Sequence, residues 1–296
     1  MDNKRLGSYV IVSPVKDEEK FVRETLESVT RQTILPLRWI IVDDGSCDQT
    51  LSIIEEYTSR FHWITVVQTQ GGARQPGSAV IRAFNHGMTF LHDTEYSFIV
   101  KLDCDLRLPA DYFEQMLSRF ARDPKLGIAS GVYQETKNGR THLVRMPPYH
   151  AAGASKMMRA ACFMEIGGFV PERGWDTLDE IRAQTRGWRT CHFDDLVLDH
   201  LKPEGTGIGY LRTNRMHGEI FYRTGGGALF FLGKAAARAL HGRPFVMGGM
   251  AMLYGYLSAR LSGRKRLVSS EEARHYRALL NSRIFDGMRR GLGRAF

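Results

Sequence analysis

The sequence predicts an α/β protein with a doubly wound, mostly parallel sheet, followed by a helical, basic C-terminal extension. Three observations carry this reading. Short β-branched apolar runs alternate with stretches of helical periodicity through the first half of the chain. Acidic or Gly-rich clusters fall where three of those runs or their following loops end, at the edge where such sheets bind ligands. The charge is also divided: residues 1–200 hold 24 Lys and Arg against 27 Asp and Glu, whereas residues 201–296 hold 17 against 5. The net charge of +9 therefore belongs to the last third of the chain, which calls for an anionic neighbour.

Tyr9 to Val15 (YVIVSPV) is β-branched and ends in a short loop, and Phe21, Val22, Leu26 and Val29 then recur at helical spacing within Asp17 to Arg31. Trp39 to Val42 is a second strand that stops at Asp43-Asp44-Gly45-Ser46, before a helical pattern from Asp48 to Phe61. Ile64 to Val67 reads as a third strand, Gly71 to Gly77 as a loop, and Ser78 to Leu91 as a helix. Tyr96 to Leu102 is a fourth strand running into Asp103-Cys104-Asp105. Beyond it, Ala110 to Arg122 is helical, and Gly127 to Tyr133 and Thr141 to Met146 are strands of a mixed continuation. Thr177 to Gly187 has helical character, and Thr190 to Leu198 is extended. The composition shifts near Gly225 to Gly, Ala, Met, Leu and aromatics, and again at Gly263, where a basic helix is expected to open on Arg264, Lys265 and Arg266. These shifts suggest a catalytic-sized domain at 1–222 and a helical region at 223–296.

The 296 residues, 43% hydrophobic and 25% charged, are ample for a full core and exclude a disordered, collagenous or disulfide-stapled chain. Cys47, Cys104, Cys162 and Cys191 lie far apart, and the N-terminus has too short an apolar run for a secretory signal; both point to a reduced, cytoplasmic setting. The longest uncharged stretch, Pro244 to Ala259, has 16 residues and falls short of the roughly 20 needed to cross a bilayer.

Two carboxylates one residue apart on a turn, as at Asp103 and Asp105, can converge on a hard divalent cation that also takes phosphate oxygens; the alternative is a solvated turn. At Asp43 and Asp44 a carboxylate can accept from a base N–H or a ribose hydroxyl, while Ser46 or Asp48 can equally serve as a helix N-cap.

The blocks VSPVKDEEKFVRETLESVTRQT (from Val12), WIIVDDGSCDQT (from Trp39), IVKLDCDLRLP (from Ile99), IGGF (from Ile166) and WDTLDEIRAQTRGW (from Trp175) together resemble the family-2 glycosyltransferases of GT-A fold, a Rossmann-like architecture. Their order and spacing span about two thirds of the chain. The resemblance implies a nucleotide-diphosphate sugar donor, with Ser13, Pro14, Glu18, Asp43 and Asp44 forming the base and ribose pocket. It implies that Asp103 and Asp105, the family's Asp-X-Asp, hold Mg2+ or Mn2+ against the diphosphate, so that Asp103 also lines the donor site. Asp176 matches the aspartate of the family's Glu-Asp pair and would be the catalytic base. Trp175 stands where the family usually has Glu, so a polar acceptor contact is missing or replaced by stacking on a sugar ring.

Transfer from such a donor needs a neutralised leaving group and a deprotonated acceptor hydroxyl, and one base acting in direct displacement inverts the anomeric centre. Asp176 or Asp179 could instead be a first-turn acid favoured by the helix dipole, Glu180 sharing their side. His200 resembles a late histidine that some GT-A enzymes add to the metal shell, the alternative being a core or solvated histidine. Arg74 sits where the family often places an arginine near the donor, or is a surface loop charge; Lys101 is placed to neutralise the Asp pair. Apolar, aromatic and basic residues from Pro244 to Arg266 suggest an interfacial segment on an anionic membrane, against the alternative of a helix packed on the domain. The expected function is an inverting, metal-dependent sugar transfer to a lipid-linked or polysaccharide hydroxyl at the inner face of a cell membrane. The alternatives are a polyprenyl-phosphate sugar transferase and a non-catalytic nucleotide- or nucleic-acid-binding protein. No recognisable nucleic-acid module is present, and no nucleic-acid partner is expected.

Overall fold

The computed structural model describes residues 7–69, 78–137, 139–202, 209–242 and 244–289. The chain divides into two compact units, Met1–Pro203 and Glu204–Phe296. The division precedes the boundary suggested at 222/223, which falls inside a helix at Tyr210–Arg223. The Gly-rich shift near 225 marks the end of that helix, where Gly225 adopts φ +78°, and a helix end is a poorer guide to a domain boundary than the packing of its faces.

The first unit runs β1 (Tyr9–Val15), α1 (Val22–Thr30), β2 (Arg38–Asp43), α2 (Thr50–Thr58), β3 (Ile64–Gln68), α3 (Ser78–Met88), β4 (Phe98–Leu102), β5 (Leu106–Arg107), α4 (Tyr112–Arg122), β6 (Leu126–Lys137), β7 (Arg140–Leu143), β8 (Ser155–Arg159), α5 (Ala160–Glu165), α6 (Trp175–Thr185) and β9 (Arg189–His200). The strands form one sheet in the order β3-β2-β1-β4-β8-β6-β9-β5, with β7 added to β6. β3, β2, β1 and β4 are mutually parallel, whereas β8 runs antiparallel to both β4 and β6. The predicted alternation is thus present in the first half, and the strand order reverses about β1. That reversal sets the ends of β1, β2 and β4 around one crevice, the place where open α/β sheets receive ligands.

Side chains alternate across the sheet and build a core on each face. Tyr9, Ile11, Trp39, Ile41, Val100 and Leu102 meet α1 and α4 on one side. Val10, Val12, Ile40, Val42 and Ile99 meet α3 on the other, where Phe169 and Trp175 join them. Because the period of a strand is two, Lys101 is carried onto the same face as Ile99.

Two strands and one helix of the first unit were not legible in the sequence: β5 is only two residues long, and β8 together with α5 follows a stretch without periodicity. β6 and β9 pair in parallel, with Gly131 opposite Phe193 and Val132 opposite Val197, so residues 194–196 bulge out of β9. Gly131 makes this bulge possible, since a Cβ there would fall 2.2 Å from the Leu196 carbonyl oxygen. The bulge sets the register that delivers His200 to the end of β9, opposite Glu135 on β6 and Leu106 on β5.

The second unit holds α7 (Tyr210–Arg223), α8 (Ala228–His241), α9 (Met247–Leu261) and α10 (Ser270–Arg289). Its core is aromatic: Phe231 stacks on Tyr256 with ring centres 4.4 Å apart and lies 5.1 Å from Phe221. Arg264, Lys265 and Arg266 do not open a helix as expected; they lie in the connection after α9. α10 begins later because Ser269 and Glu272 cap each other, Ser269 Oγ accepting the Glu272 amide and Glu272 Oε2 accepting the Ser269 amide. No helix among the described residues is long and apolar enough to cross a membrane.

The Gly131 contact is testable. Gly131→Ala forces a Cβ against a carbonyl that sheet pairing holds in place, and should cost about 1–3 kcal/mol in urea unfolding.

Candidate active site

The loops after β1 and β2 are tied to each other by polar side chains. Asp43 is buried, and its Oδ1 accepts from both the amide and the hydroxyl of Ser46. Asp44 Oδ1 accepts from Thr69 Oγ1 at 2.6 Å, while its amide donates to Val15 O. Asp17, at φ +53°, accepts the Cys47 amide and donates its own amide to Ser46 Oγ. Asp48 accepts the Thr50 and Glu19 amides; burial opposes its charge, but these bonds and the Thr50 hydroxyl hold it below the ordinary carboxylate value. Asp48 thus serves the start of α2, the capping alternative. Ser13 is fully buried, and its hydroxyl accepts Trp39 Nε1–H at 2.8 Å, so its side chain is committed to the core rather than to a ligand. Pro14 is buried beside it, and Glu18 pairs with Lys202. Arg74 lies outside the described residues.

At the end of β4 the Lys101 ammonium, 3% exposed, pairs with Asp103, as the sequence suggested. Burial and the neighbouring Asp105 raise Asp103 against the pull of Lys101. One residue on, Asp105 Oδ2 lies 3.4 Å from His200 Nε2, while Asp105 Oδ1 is buried without a hydrogen-bond partner. His200 Nδ1 lies 3.1 Å from Glu135 Oε1, and the Tyr133 ring meets the imidazole edge to face with centres 5.1 Å apart. Burial opposes its charge, but the two carboxylates win and push His200 up to about 9. His200 is therefore an imidazolium at neutral pH and bridges two acids that the sequence separates by 30 residues. The structure brings Asp103, Asp105 and His200 together; Glu135 is an addition that no local pattern announced. Among the described residues no set of three carboxylate, imidazole or thiol groups is arranged as a finished metal cage. The two hard carboxylates and the orphaned Asp105 Oδ1 nevertheless fit the donor set of a hard dication.

Across the site, Gly174 at φ +83° turns the chain into α6. Asp176, in its first turn, is partly exposed, takes the Thr177 amide at 3.1 Å and is in no salt bridge among the described residues. Asp179 and Glu180, by contrast, are 2% exposed and hold the Lys156 ammonium, at 2.9 Å from Asp179 Oδ2 and 3.5 Å from Glu180 Oε1. Burial and the adjacent Glu180 push Asp179 upward against Lys156. Lys156 Nζ also donates to the Asp176 carbonyl at 3.0 Å, and Glu180 Oε1 accepts the Ala151 amide at 2.7 Å. The structure thus separates the three acids of α6, with Asp176 open and the other two structural.

Lys156 on β8 lies directly opposite Lys101 on β4. Both ammoniums face the Trp175 ring, 5.2 and 5.4 Å from its centre. The ring is 8% exposed, and Phe169 packs edge-on against it with centres 4.8 Å apart. Trp175 is therefore no open platform for a sugar, which corrects the stacking role suggested for it; its ring is packed against two buried cations. Lys156 was missed because a lone Lys in SKMMR shows nothing of its partners 23 and 24 residues away.

Comparison with known proteins agrees with this architecture. The chain is similar in structure to the mannosyltransferase PcManGT from Pyrobaculum calidifontis in complex with GDP-Man and Mn2+ (TM-score 0.55, 17% identity, 95% of this chain and 81% of that one). It is likewise similar to S. aureus TarS in complex with UDP-GlcNAc (TM-score 0.56, 19% identity, covering the same 95% and 81%). These likenesses define the class, a GT-A glycosyltransferase fold. The sequence model of Glycosyl transferase family 2 matches residues 10–173, more than half of the chain, and the chain belongs to that family.

Among curated relatives it is 26% identical over 134 residues to the uncharacterized glycosyltransferase EpsJ of Bacillus subtilis, covering 45% of this chain and 36% of that protein. It is 29% identical over 117 residues to a poly-beta-1,6-N-acetyl-D-glucosamine synthase of Staphylococcus epidermidis, covering 39% and 26%. The aligned stretch spans about a third or less of these relatives' own length.

Two outcomes follow from the buried charges. Lys156→Met leaves Asp179 and Glu180 without their cation and should destabilise the fold by about 3–5 kcal/mol in urea unfolding, less at acid pH where Asp179 takes up a proton. The His200 pKa is raised, so with divalent cations chelated its contribution is complete below the unfolded value of about 6.5 and is lost as pH rises through about 9. Tm measured across that window should fall, and the fall should be smaller in His200→Asn.

Proposed function

We propose that the protein transfers a hexose from a nucleotide-diphosphate sugar to an acceptor hydroxyl with inversion at the anomeric carbon. The carrying observation is the opposition of two kinds of carboxylate at one sheet edge. Asp103 and Asp105 sit together with a buried, unpartnered oxygen on Asp105, and Asp176 stands apart at the start of α6, free of any described salt bridge. Lys101, Trp175 and Lys156 link the two sides.

In this reading Pro14, Glu18, Asp43 and Asp44 receive the nucleoside, Ser13 contributes backbone alone, and Arg74 contacts phosphate. Asp103 and Asp105, with His200 behind them, hold Mg2+ or Mn2+. The cation, when bound, supplies Lewis-acid neutralisation of the leaving diphosphate. Asp176 accepts the proton of the acceptor hydroxyl as its oxygen forms a bond to the anomeric carbon; the bond from that carbon to the diphosphate oxygen breaks on the opposite face. A single base and one displacement suffice, and inversion follows. The donors named for the similar structures, UDP-GlcNAc and GDP-Man, and the Mn2+ in one of them support this class of donor and cofactor. The basic second unit supports a lipid-linked or polysaccharide acceptor met at the inner, anionic face of a cell membrane.

The role split is tested by two variants in one assay series. Asp105→Asn should abolish the Mn2+-dependent thermal shift produced by nucleoside diphosphates. Asp176→Asn should keep that shift and lower kcat by about 10²–10⁴-fold with radiolabelled donor sugar. Equal loss of donor binding in both variants contradicts the assignment, as does retention of anomeric configuration in the product.

A further inference from the structure

We propose that the helical unit docks on an anionic phospholipid bilayer through the outward face of α8 and α9 and the turn between them, with the groove between α7 and α9 receiving an acyl chain. The inference deepens the membrane placement above and rests on it, but not on the catalytic chemistry.

Helix α9 is turned inside out relative to a helix of a water-soluble core. Its buried residues are Gly248, Gly249, Met252, Gly255 and Ala259, whereas its large apolar side chains Met247, Met250, Tyr254, Leu257 and Leu261 are 47–85% exposed. Those five follow one another at steps of three and four, so they form one stripe along the helix. Small residues inside let the backbones touch: a Cβ at Gly255 would fall 2.0 Å from Arg215 O, and one at Gly249 would fall 2.5 Å from Ala235 O. Close packing through small residues, with large apolar side chains facing outward, is how helices associate where the surroundings are lipid. Leu229, Leu232 and Leu240 continue the apolar face on α8, and Phe245 and Val246 extend it through the turn, all at least 55% exposed. Val246, a β-branched residue at φ +67°, holds this turn in a conformation its side chain disfavours.

Charge selects the occupant. From Ile220 to Ser270 the chain has eight Lys and Arg and no Asp or Glu. A second copy of this stretch would bring the same excess of cations with no carboxylate of its own to meet them, and nucleic acid would leave the apolar stripe unmatched. An anionic bilayer answers both, the acyl region taking the stripe and the headgroups taking the cations. The groove of about 500 Å3 between α7 and α9 repeats this chemistry in miniature. Leu211, Met247, Met250 and Tyr254 line it together with Arg212 and Arg215, and the Arg215 guanidinium lies 4.8 Å from the Tyr254 ring centre.

The test uses the full chain with phosphatidylcholine vesicles, with and without phosphatidylglycerol. Partition should be at least about ten-fold stronger with the anionic lipid, and Met250→Glu combined with Leu257→Glu should lower it by about ten-fold at constant circular dichroism. The four native tryptophans, Trp39, Trp63, Trp175 and Trp188, all lie in the first unit, so the emission that Phe245→Trp adds over the unsubstituted protein reports on the turn. Brominated acyl chains should quench it.

Equal partition to neutral vesicles, an unquenched indole on bound protein, or a double variant that binds as before would each overturn the inference. So would a dimer in solution that the double variant dissociates. Sugar transfer to a soluble acceptor without vesicle binding would sink the docking and spare the catalytic reading; vesicle binding without transfer would do the reverse.

Discussion

The candidate site is organised by the burial of two lysines opposite each other on adjacent strands. Lys101 and Lys156 are paired in the register of β4 and β8 and are 3% and 0% exposed. Like charges in that position repel, and each buried ammonium carries a desolvation cost of several kcal/mol. The Trp175 ring that both ammoniums contact contributes about 2 kcal/mol per desolvated cation at best, which is too little alone. Carboxylates must make up the difference, and the fold supplies one to Lys101 and two to Lys156. The consequence reaches both chemical ends of the site. Asp103 is held by Lys101 beside Asp105, and the first turn of α6, with Asp176, is held by Lys156 through the Asp176 carbonyl as well as through Asp179 and Glu180.

The same arrangement gives a physical sense to Trp175. The resemblance drawn from the sequence implies a Glu before the Asp, and a Trp in that place brings no further charge beside the two cations. Position 179 lies one helical turn beyond 175 and so presents to the same side. Asp179 and its neighbour Glu180 occupy that side, and both are buried against Lys156. The helix thus brings its negative charge to Lys156 from 179 and 180, and Asp176 is left as the open carboxylate of the three.

How much of this was legible in the sequence depended on whether a signal was local. β1 has the bounds its apolar run suggested, and β2, β3 and β4 lie within a residue or two of theirs, because parallel strands buried on both faces read as continuous β-branched runs. The acidic ends of β2 and β4 were readable for the same reason: strand ends are where such runs stop. Lys101 could be matched to Asp103 because only Leu102 separates them. β8 could not be read, since Ser155 and Lys156 interrupt its apolar pattern and the pairing that makes it a strand lies with β4 and β6. Glu135 was invisible because its role depends on a bulge at residues 194–196 that brings His200 opposite it. In the second unit, Arg264 to Arg266 looked like a helix start by composition, but the Ser269–Glu272 box decides where α10 begins.

The second unit shows how far composition alone can carry an argument. Its positive charge and its apolar residues were both countable in the sequence, yet counting could not tell a packed amphipathic helix from an outward-facing one. The glycines of α9 settle that question. A glycine at a helix interface allows contact that no larger residue permits, and at Gly249 and Gly255 the neighbouring carbonyl oxygen occupies the space of a Cβ. With backbone filling the contact at those positions, Met252 and Tyr256 take the inward places that remain, and Met247, Met250, Tyr254, Leu257 and Leu261 face out. An outward stripe of Met, Tyr and Leu is costly in water, and the stretch of chain that carries it holds eight cations and no acid. The cost is removed by an anionic surface with an apolar interior, so the packing of the helix and its charge lead to the same partner.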